Sequence, residues 1–290
     1  MHFEWIGQLK EDLGRAEAKG GAAVPGGALV PLVLHVPHAR SAMPPEVLAE
    51  FVVDAAELEA HQLRSVDHFT DELFGADFAA CTRVEFPISR LAVDPERFEL
   101  DEREPMAARG LGVLYERGHD GSVIRRPVTG ARRQELLDRW YRPHHARLAE
   151  AVAQAIDARG RVLVVDCHSF PAEPLAVDHD RRVPRPDLCI GTAGIHTPAA
   201  LVDAARCCCW RSGFSVQVDA PYAGSIVPID RLGTAPRVQS VMVEVNRALY
   251  MRAEGGKPVK TDGFWRLRAF LTELVEALRD AAAQAKEVTR

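Results

Sequence analysis

Arg161-Val162-Leu163-Val164-Val165-Asp166-Cys167-His168-Ser169-Phe170 is the stretch from which the fold is read. Four apolar residues, three of them β-branched, run into an acid, a thiol, an imidazole and a hydroxyl. A short apolar run of this kind predicts a strand buried on both faces. Its polar cluster falls at the strand's carboxyl end, the edge where open α/β sheets bind ligands. Alternation puts Cys167 on the face opposite His168. The adjoining imidazole therefore points away from the thiol, which speaks against a cysteine nucleophile.

Working outward, strand and helix signals alternate. Leu29 to Val36 predicts a first strand, ending at Pro37-His38-Ala39-Arg40-Ser41. Pro44-Pro45 opens a helical pattern that is broken near Asp54 and reaches Phe74, with Gly75 as its stop. Cys81 to Pro87 is β-like. From Ser89 to about Arg126 charges and glycines without periodicity predict an excursion of loops and short strands over one edge of the sheet. Arg132 to Ala158 predicts a helix kinked by Pro143. Further on, strands are expected at Asp187–Gly191, Phe214–Val218 and Val238–Val245. Helices are expected from Thr197-Pro198 to Arg211 and from Gly263 to about Lys286. This alternation predicts an α/β fold with helices on both faces of the sheet. We read 1–290 as a single domain, with 1–27 as a lead-in and Gly/Ala/Pro linker.

Composition narrows the function classes. With 47% hydrophobic and 27% charged residues, the chain has the make-up of a globular protein with a sizeable core. A net charge of -5 offers no basic footprint for nucleic acid. No apolar run is long enough to span a bilayer, and the amino terminus lacks a secretory pattern. A cytoplasmic protein without a membrane partner is expected. The six cysteines, including the run Cys207-Cys208-Cys209, form no CxxC pair and read as reduced thiols. Neither the oligomeric state nor the role of that run is legible.

Reactive groups collect at three strand ends: His38, then Asp166 and His168, then Glu244. Two histidines and a carboxylate suit a catalytic zinc that keeps a position for water, and a further carboxylate suits a general base. The plain alternatives are that a histidine after a strand only packs, and that Glu244 only pairs with Arg247.

A longer set of motifs bears on that choice. Pro37-His38-Ala39-Arg40-Ser41 with Pro44-Pro45 is followed by Asp67-His68-Phe69-Thr70-Asp71-Glu72-Leu73-Phe74 and Ser89-Arg90-Leu91-Ala92-Val93-Asp94. Then come Trp140-Tyr141-Arg142-Pro143-His144-His145, Asp166-Cys167-His168-Ser169-Phe170, Pro221-Tyr222-Ala223-Gly224 and Glu244-Val245-Asn246-Arg247-Ala248-Leu249-Tyr250. In this order, across roughly residues 30 to 252, they resemble the N-formylglutamate amidohydrolase family. The resemblance implies a three-layer α/β/α fold with a mixed, mostly parallel sheet, like that of zinc-dependent carboxypeptidases. It implies a hydrolase releasing formate and glutamate from an N-formyl amino acid, within histidine breakdown.

By the same resemblance His38 and His168 match zinc-ligand positions, and Glu244 matches the general base. For the remaining ligand we favour Asp67, on the helix after the His38 loop, over Glu46 and Asp71. Another divalent metal in place of zinc is compatible with this set. Asp166 either orients a ligand histidine or merely caps the strand end. His145 is a donor near the site or a packing residue. A small anionic substrate with two carboxylates calls for arginines, and Arg90, Arg97 and Arg247 lie in matched blocks, with Asn246 and Tyr222 as further hydrogen-bonding groups. Against this, Arg90 and Arg97 could simply pair with Asp94 and Glu96 on the surface. Two departures bear on substrate: Glu96-Arg97 stands where better-known members carry Asn-Arg, and Ala39-Arg40-Ser41 where they carry Ser-Gly. The alternatives are therefore a deacylase or carboxypeptidase-like hydrolase on another small N-acyl amino acid, and an inactive metal- or ligand-binding relative.

Overall fold

The computed structural model describes residues 29–285; the expected lead-in over 1–27 lies outside them. The chain runs β1 (Leu32–Val36), α1 (Pro45–Leu48), α2 (Ala55–Ser65), α3 (Thr70–Leu73) and β2 (Cys81–Glu85). Next come α4 (Gly130–Leu136), a π turn (Leu137–Tyr141), α5 (Arg142–Arg159) and β3 (Val162–Phe170). The second half holds β4 (Leu188–Gly191), α6 (Ala199–Arg211), β5 (Val216–Val218) and β6 (Val238–Asn246), then β7 (Met251–Glu254), β8 (Lys257–Lys260) and α7 (Gly263–Gln284).

The main sheet has strand order β2-β1-β3-β6-β4-β5. Strands β2, β1, β3 and β6 are parallel, whereas β4 runs antiparallel to β6 and β5 follows β4. This is the mixed, mostly parallel sheet that the family resemblance implies. The two longest strands, β3 and β6, lie side by side at its centre and are buried along their whole length.

The faces of the sheet are covered differently. Leu34, Val36, Val165, Cys167, Val243 and Val245 pack into one core with Leu201 and Ala205 of α6 and Leu267, Leu271, Leu274 and Leu278 of α7. On the other face Val33, Val162, Val164 and Val238 meet Leu148, Ala151 and Val152 of α5. That second apolar layer is shorter. Beyond it toward the strands' carboxyl ends the same face carries His35, Asp166, His168 and Glu244.

Several boundaries have local causes. The break near Asp54 is the start of α2: the Asp54 carboxylate accepts from Glu57 N (2.8 Å) and Glu57 returns the bond to Asp54 N (3.1 Å), a capping box. The expected kink at Pro143 is a π turn just ahead of α5, a widened turn that accommodates the N–H proline lacks. Thr197 does not cap α6. Its hydroxyl instead donates to Ser240 O (2.6 Å) and accepts from Ala193 N, while Pro198 takes the cap position. The β7–β8 hairpin was not foreseen; Gly255 and Gly256, both at positive φ, make its turn.

The stretch after Ser89 contains no strand of the sheet. It holds two 3₁₀ turns and builds an apolar cluster of its own, where Leu91, Val93, Leu111 and Val113 pack against Val47, Leu58 and Leu136. This anchored flap, not a loose edge cover, roofs the carboxyl ends of β1 and β3. Among the described residues no helix is long and apolar enough to cross a membrane.

Candidate active site

The parallel register of the central strands gathers the site. His35 on β1 lies opposite Asp166 on β3, and His168 lies opposite Glu244 on β6. Side chains at paired positions of neighbouring strands point to the same face. His38 follows β1 by two residues. Asp67 sits in the turn between α2 and α3 rather than on a helix, and its N–H donates to His38 O (2.9 Å).

The favoured ligand set comes together, and its competitors do not. His38 Nδ1 and His168 Nδ1 are 3.3 Å apart, and Asp67 Oδ2 is 3.2 Å from His168 Nδ1 and 3.6 Å from His38 Nδ1. Glu46 pairs with Arg139 (2.8 Å) and Asp71 with Arg40 (2.9 Å), both away from this centre. Asp67, His38 and His168 are almost wholly buried.

The far nitrogens fix the tautomers. His38 Nε2 is 2.8 Å from Asp94 Oδ1, and His168 Nε2 is 3.0 Å from Asp166 Oδ1. A carboxylate only accepts, so both Nε2 atoms carry hydrogen and the two neutral rings turn lone pairs inward. Three acceptors then face one another within 3.6 Å, an arrangement that calls for positive charge at its centre. One means is a proton: between Asp166 and Asp67, His168 is pushed well above the ordinary imidazole value in spite of its burial. The other is a metal ion. Donor atoms about 2.1 Å from a tetrahedral zinc stand roughly 3.4 Å apart, which the triangle matches. Two imidazoles, each backed by a carboxylate, with one carboxylate oxygen are also the donor chemistry zinc takes. The residues fit the ion.

Around this centre the carboxylates are strongly held. Burial pushes Asp67 up, but its contacts with the His168 and His38 imidazoles and the charge of Arg247 leave it well below the usual range. Asp94 is likewise lowered against its burial, by Arg90 and His38. Glu244 behaves in the opposite way. Burial pushes it up to about 8, with His168 lowering it and Asp67 raising it, and its Oε2 is buried with no hydrogen-bond partner. It lines the cavity, and a cation at the triangle would favour its ionised form.

That cavity, of about 340 Å³, is lined by His38, Asp67, His168 and Glu244 together with Arg90, Arg97, Arg247, Tyr222, Glu96, Arg64 and His119. Arg90 donates Nε and Nη2 to Asp94 Oδ2 (3.1 and 2.8 Å), and Arg97 donates Nε to Leu111 O (3.1 Å). Asp94 is fully buried, so this is not a surface pair. Both arginines line the cavity.

The contacts bear on three sequence expectations. Arg247 spends its donors on Asp67 Oδ1 (2.7 Å), Ser169 and Arg64 O; it positions the carboxylate of the triangle instead of reaching for substrate. Asn246 accepts from Ala248 N and donates to Pro186 O, so its amide is consumed in a turn. His145 donates to Pro95 O (2.9 Å) and packs on Tyr141, touching none of the triangle residues. Tyr222 does line the cavity, with its hydroxyl between Arg185 and Asp178. Asp166 orients His168 and also accepts from His35 Nδ1 (2.8 Å) and Ile226 N (2.9 Å). At Gly191 an added Cβ would lie 2.1 Å from Gly224 O, so the Tyr222–Gly224 loop lies against β4 only because that position is glycine.

Asp94, His35 and His144 are the groups to which the sequence reading gave no place in the site. Asp94 had a signal, an acid closing the apolar run Leu91-Ala92-Val93 just as Asp166 closes its own. His35 had one too, a lone imidazole inside an apolar strand. The Cys207–Cys209 run is ordinary: Cys209 is buried in the core, Cys208 half-buried and Cys207 exposed, and all are free thiols.

An α/β sheet that converges two imidazoles and a carboxylate beside an unpaired glutamate has the groups of a hydrolase site. Comparison with known proteins resolves the class further. Residues 30–251 match the family model described as N-formylglutamate amidohydrolase. The chain is 26% identical over 258 residues to the N-formylglutamate deformylase of Pseudomonas aeruginosa, covering 86% of this chain and 92% of the relative. Its structure superposes with a TM-score of 0.73 on N-formylglutamate amidohydrolase from Ralstonia eutropha JMP134, at 27% identity over 90% of this chain and 95% of the other. A gene product of Agrobacterium tumefaciens, 22% identical, shares the fold with a TM-score of 0.59 and 91% and 97% coverage. The chain belongs to the N-formylglutamate amidohydrolase family and is a hydrolase.

Proposed function

We propose that this protein hydrolyses N-formyl-L-glutamate to formate and L-glutamate, a step in histidine breakdown, using a single divalent cation, in the first instance zinc. The observation that carries the reading is the triangle of His38 Nδ1, His168 Nδ1 and Asp67 Oδ2, with every back atom tied to a buried partner. These three residues would hold the ion. When bound, zinc supplies an acidified water and polarises the amide carbonyl.

The chain's own residues do the rest. Glu244 is the general base: its unpaired carboxylate takes a proton from water as oxygen adds to the formyl carbon, and carries it to the amide nitrogen as the C–N bond breaks. Burial of Glu244 suits a group that must both accept and release a proton. Asp94 and Asp166 hold the ring planes of His38 and His168. Arg247 holds Asp67. Arg90 and Arg97, which line the cavity, take the substrate carboxylates, and Tyr222 closes the other side with its ring.

The test combines metal content with formate release. Wild type is expected to contain one zinc per chain and to release formate from N-formyl-L-glutamate. Glu244→Gln is expected to keep the metal and lose on the order of 10²–10⁴ in kcat. Release that survives this substitution removes Glu244 as the base. A panel of N-formyl-aspartate, N-acetyl-glutamate and neutral N-formyl amino acids separates the formylglutamate reading from a broader deacylase. Turnover restricted to N-acetyl substrates would overturn it.

A further inference from the structure

Behind Asp166 lie two buried histidines that the reaction above leaves without a task. His35 is the only polar residue of β1, and it is fully buried. Its Nδ1 lies 2.8 Å from Asp166 Oδ1 and 3.2 Å from Glu96 Oε1. Its Nε2 lies 2.8 Å from Nε2 of His144, itself fully buried on α5 and set edge-on against Phe86. The row His144, His35, Asp166, His168 thus crosses from the covering helix through β1 to β3. Apolar side chains of similar volume would fill β1 at lower cost, because buried polar groups forfeit hydration. A tie between α5 and the sheet needs no such chain either, since Leu148 and Val152 already pack there.

We propose that His35 is a positioning residue for the metal-facing edge of His168, acting through Asp166. This rests on the metal reading of the triangle. Asp166 Oδ1 accepts from two imidazoles at once, His35 Nδ1 and His168 Nε2, while Oδ2 accepts from Ile226 N. With those three donors in place the carboxylate has no freedom to turn. The plane of the His168 ring is then set by its single bond to Asp166, and its Nδ1 is aimed at Asp67 and His38. Without the His35 donor, Asp166 is free to rotate toward its remaining partners, and the His168 ring turns with it. His144 supports His35 from behind, which keeps Nδ1 directed at Asp166. Outer hydrogen-bond partners of metal-binding histidines carry about 10–100-fold in metal affinity; His35 extends that support by one more link.

The experiment compares full-length wild type, His35→Leu and His35→Asn. Three quantities are read: the unfolding midpoint of the metal-free protein, the zinc dissociation constant by chelator competition, and the visible ligand-field spectrum of the cobalt(II) form. The amide N–H of asparagine takes the place of Nδ1–H, so His35→Asn is expected to bind zinc within about 3-fold of wild type and keep the cobalt spectrum. His35→Leu is expected to weaken zinc by about 10-fold or more and to alter the cobalt spectrum. Should His35→Leu fail to fold, His35→Val, which suits a buried strand, carries the same comparison. A folded leucine or valine variant with wild-type zinc affinity and cobalt spectrum overturns the inference, and so does an asparagine variant as impaired as the leucine one. Wild type that binds neither zinc nor cobalt overturns the metal reading and this inference with it.

Discussion

The two faces of β3 are equally dry and chemically opposite. Val165 and Cys167 look into the apolar core beneath α6 and α7. Asp166 and His168, one residue out of step, look toward α5 and the flap, where nearly every neighbour is ionisable. All four residues are 4% exposed or less, so burial alone does not distinguish the faces. What differs is whether each polar atom has a partner. Cys167, raised far above an ordinary thiol by burial and by the Asp166 charge, is an inert hydrophobe. His168 has both ring nitrogens engaged by carboxylates. A strand buried on both faces can carry a reactive centre on one of them only if the surrounding chain supplies counter-charges and hydrogen bonds residue by residue.

Substitutions on the two faces should therefore fail differently. The largest loss is expected on the polar face: His168→Ala removes one corner of the triangle and should lower kcat/KM for formate release by several kcal/mol, on the order of 10³-fold or more, with loss of bound metal. Metal analysis together with steady-state rates checks this, and full activity would dissolve the contrast between the faces. On the apolar face, Leu34→Ala should cost about 2–5 kcal/mol of stability by opening a cavity while the folded fraction keeps its activity; denaturant unfolding and a rate normalised to folded protein measure the two separately. Asp94→Asn is intermediate. It should reduce metal affinity by about 10–100-fold, roughly 1.4–2.8 kcal/mol, which chelator competition reads directly. Cys167→Ala is the mildest, at about 1 kcal/mol of stability and no change in kcat. A large loss of kcat there would make the thiol a participant and end the distinction between the faces.

The flap offers a second view of what was legible. Its stretch after Ser89 has no regular period, so its own apolar cluster and its role as roof were invisible. Arg90 and Arg97 are placed by motif alone, and Asp94 between them reads only as the surface partner of the alternative reading. It is fully buried, and it fixes His38. Arg247 and Asn246 illustrate the reverse. Lying beside Glu244 in sequence makes them read as substrate-facing, but β6 ends at Asn246 and Arg247 opens a 3₁₀ turn, where their polar groups are taken by Ala248, Pro186 and Asp67.

The amino-acid sequence by itself determined the central strands, the alternation with helices, the opposite facing of Cys167 and His168, and three of the residues that meet at the cavity. Those are local properties, carried by periods of two and 3.6 residues and by polar clusters at strand ends. Only the tertiary structure decided which carboxylate completes the triangle, that Arg247 serves Asp67, and that His35 and Asp94 stand behind the histidines. The physical reason is that these contacts join residues 29 to 180 positions apart, through the parallel register of β1, β3 and β6 and the packing of the flap. Partnership across such distances leaves no period in the chain, and it is partnership, not residue type, that separates a ligand from a packed side chain.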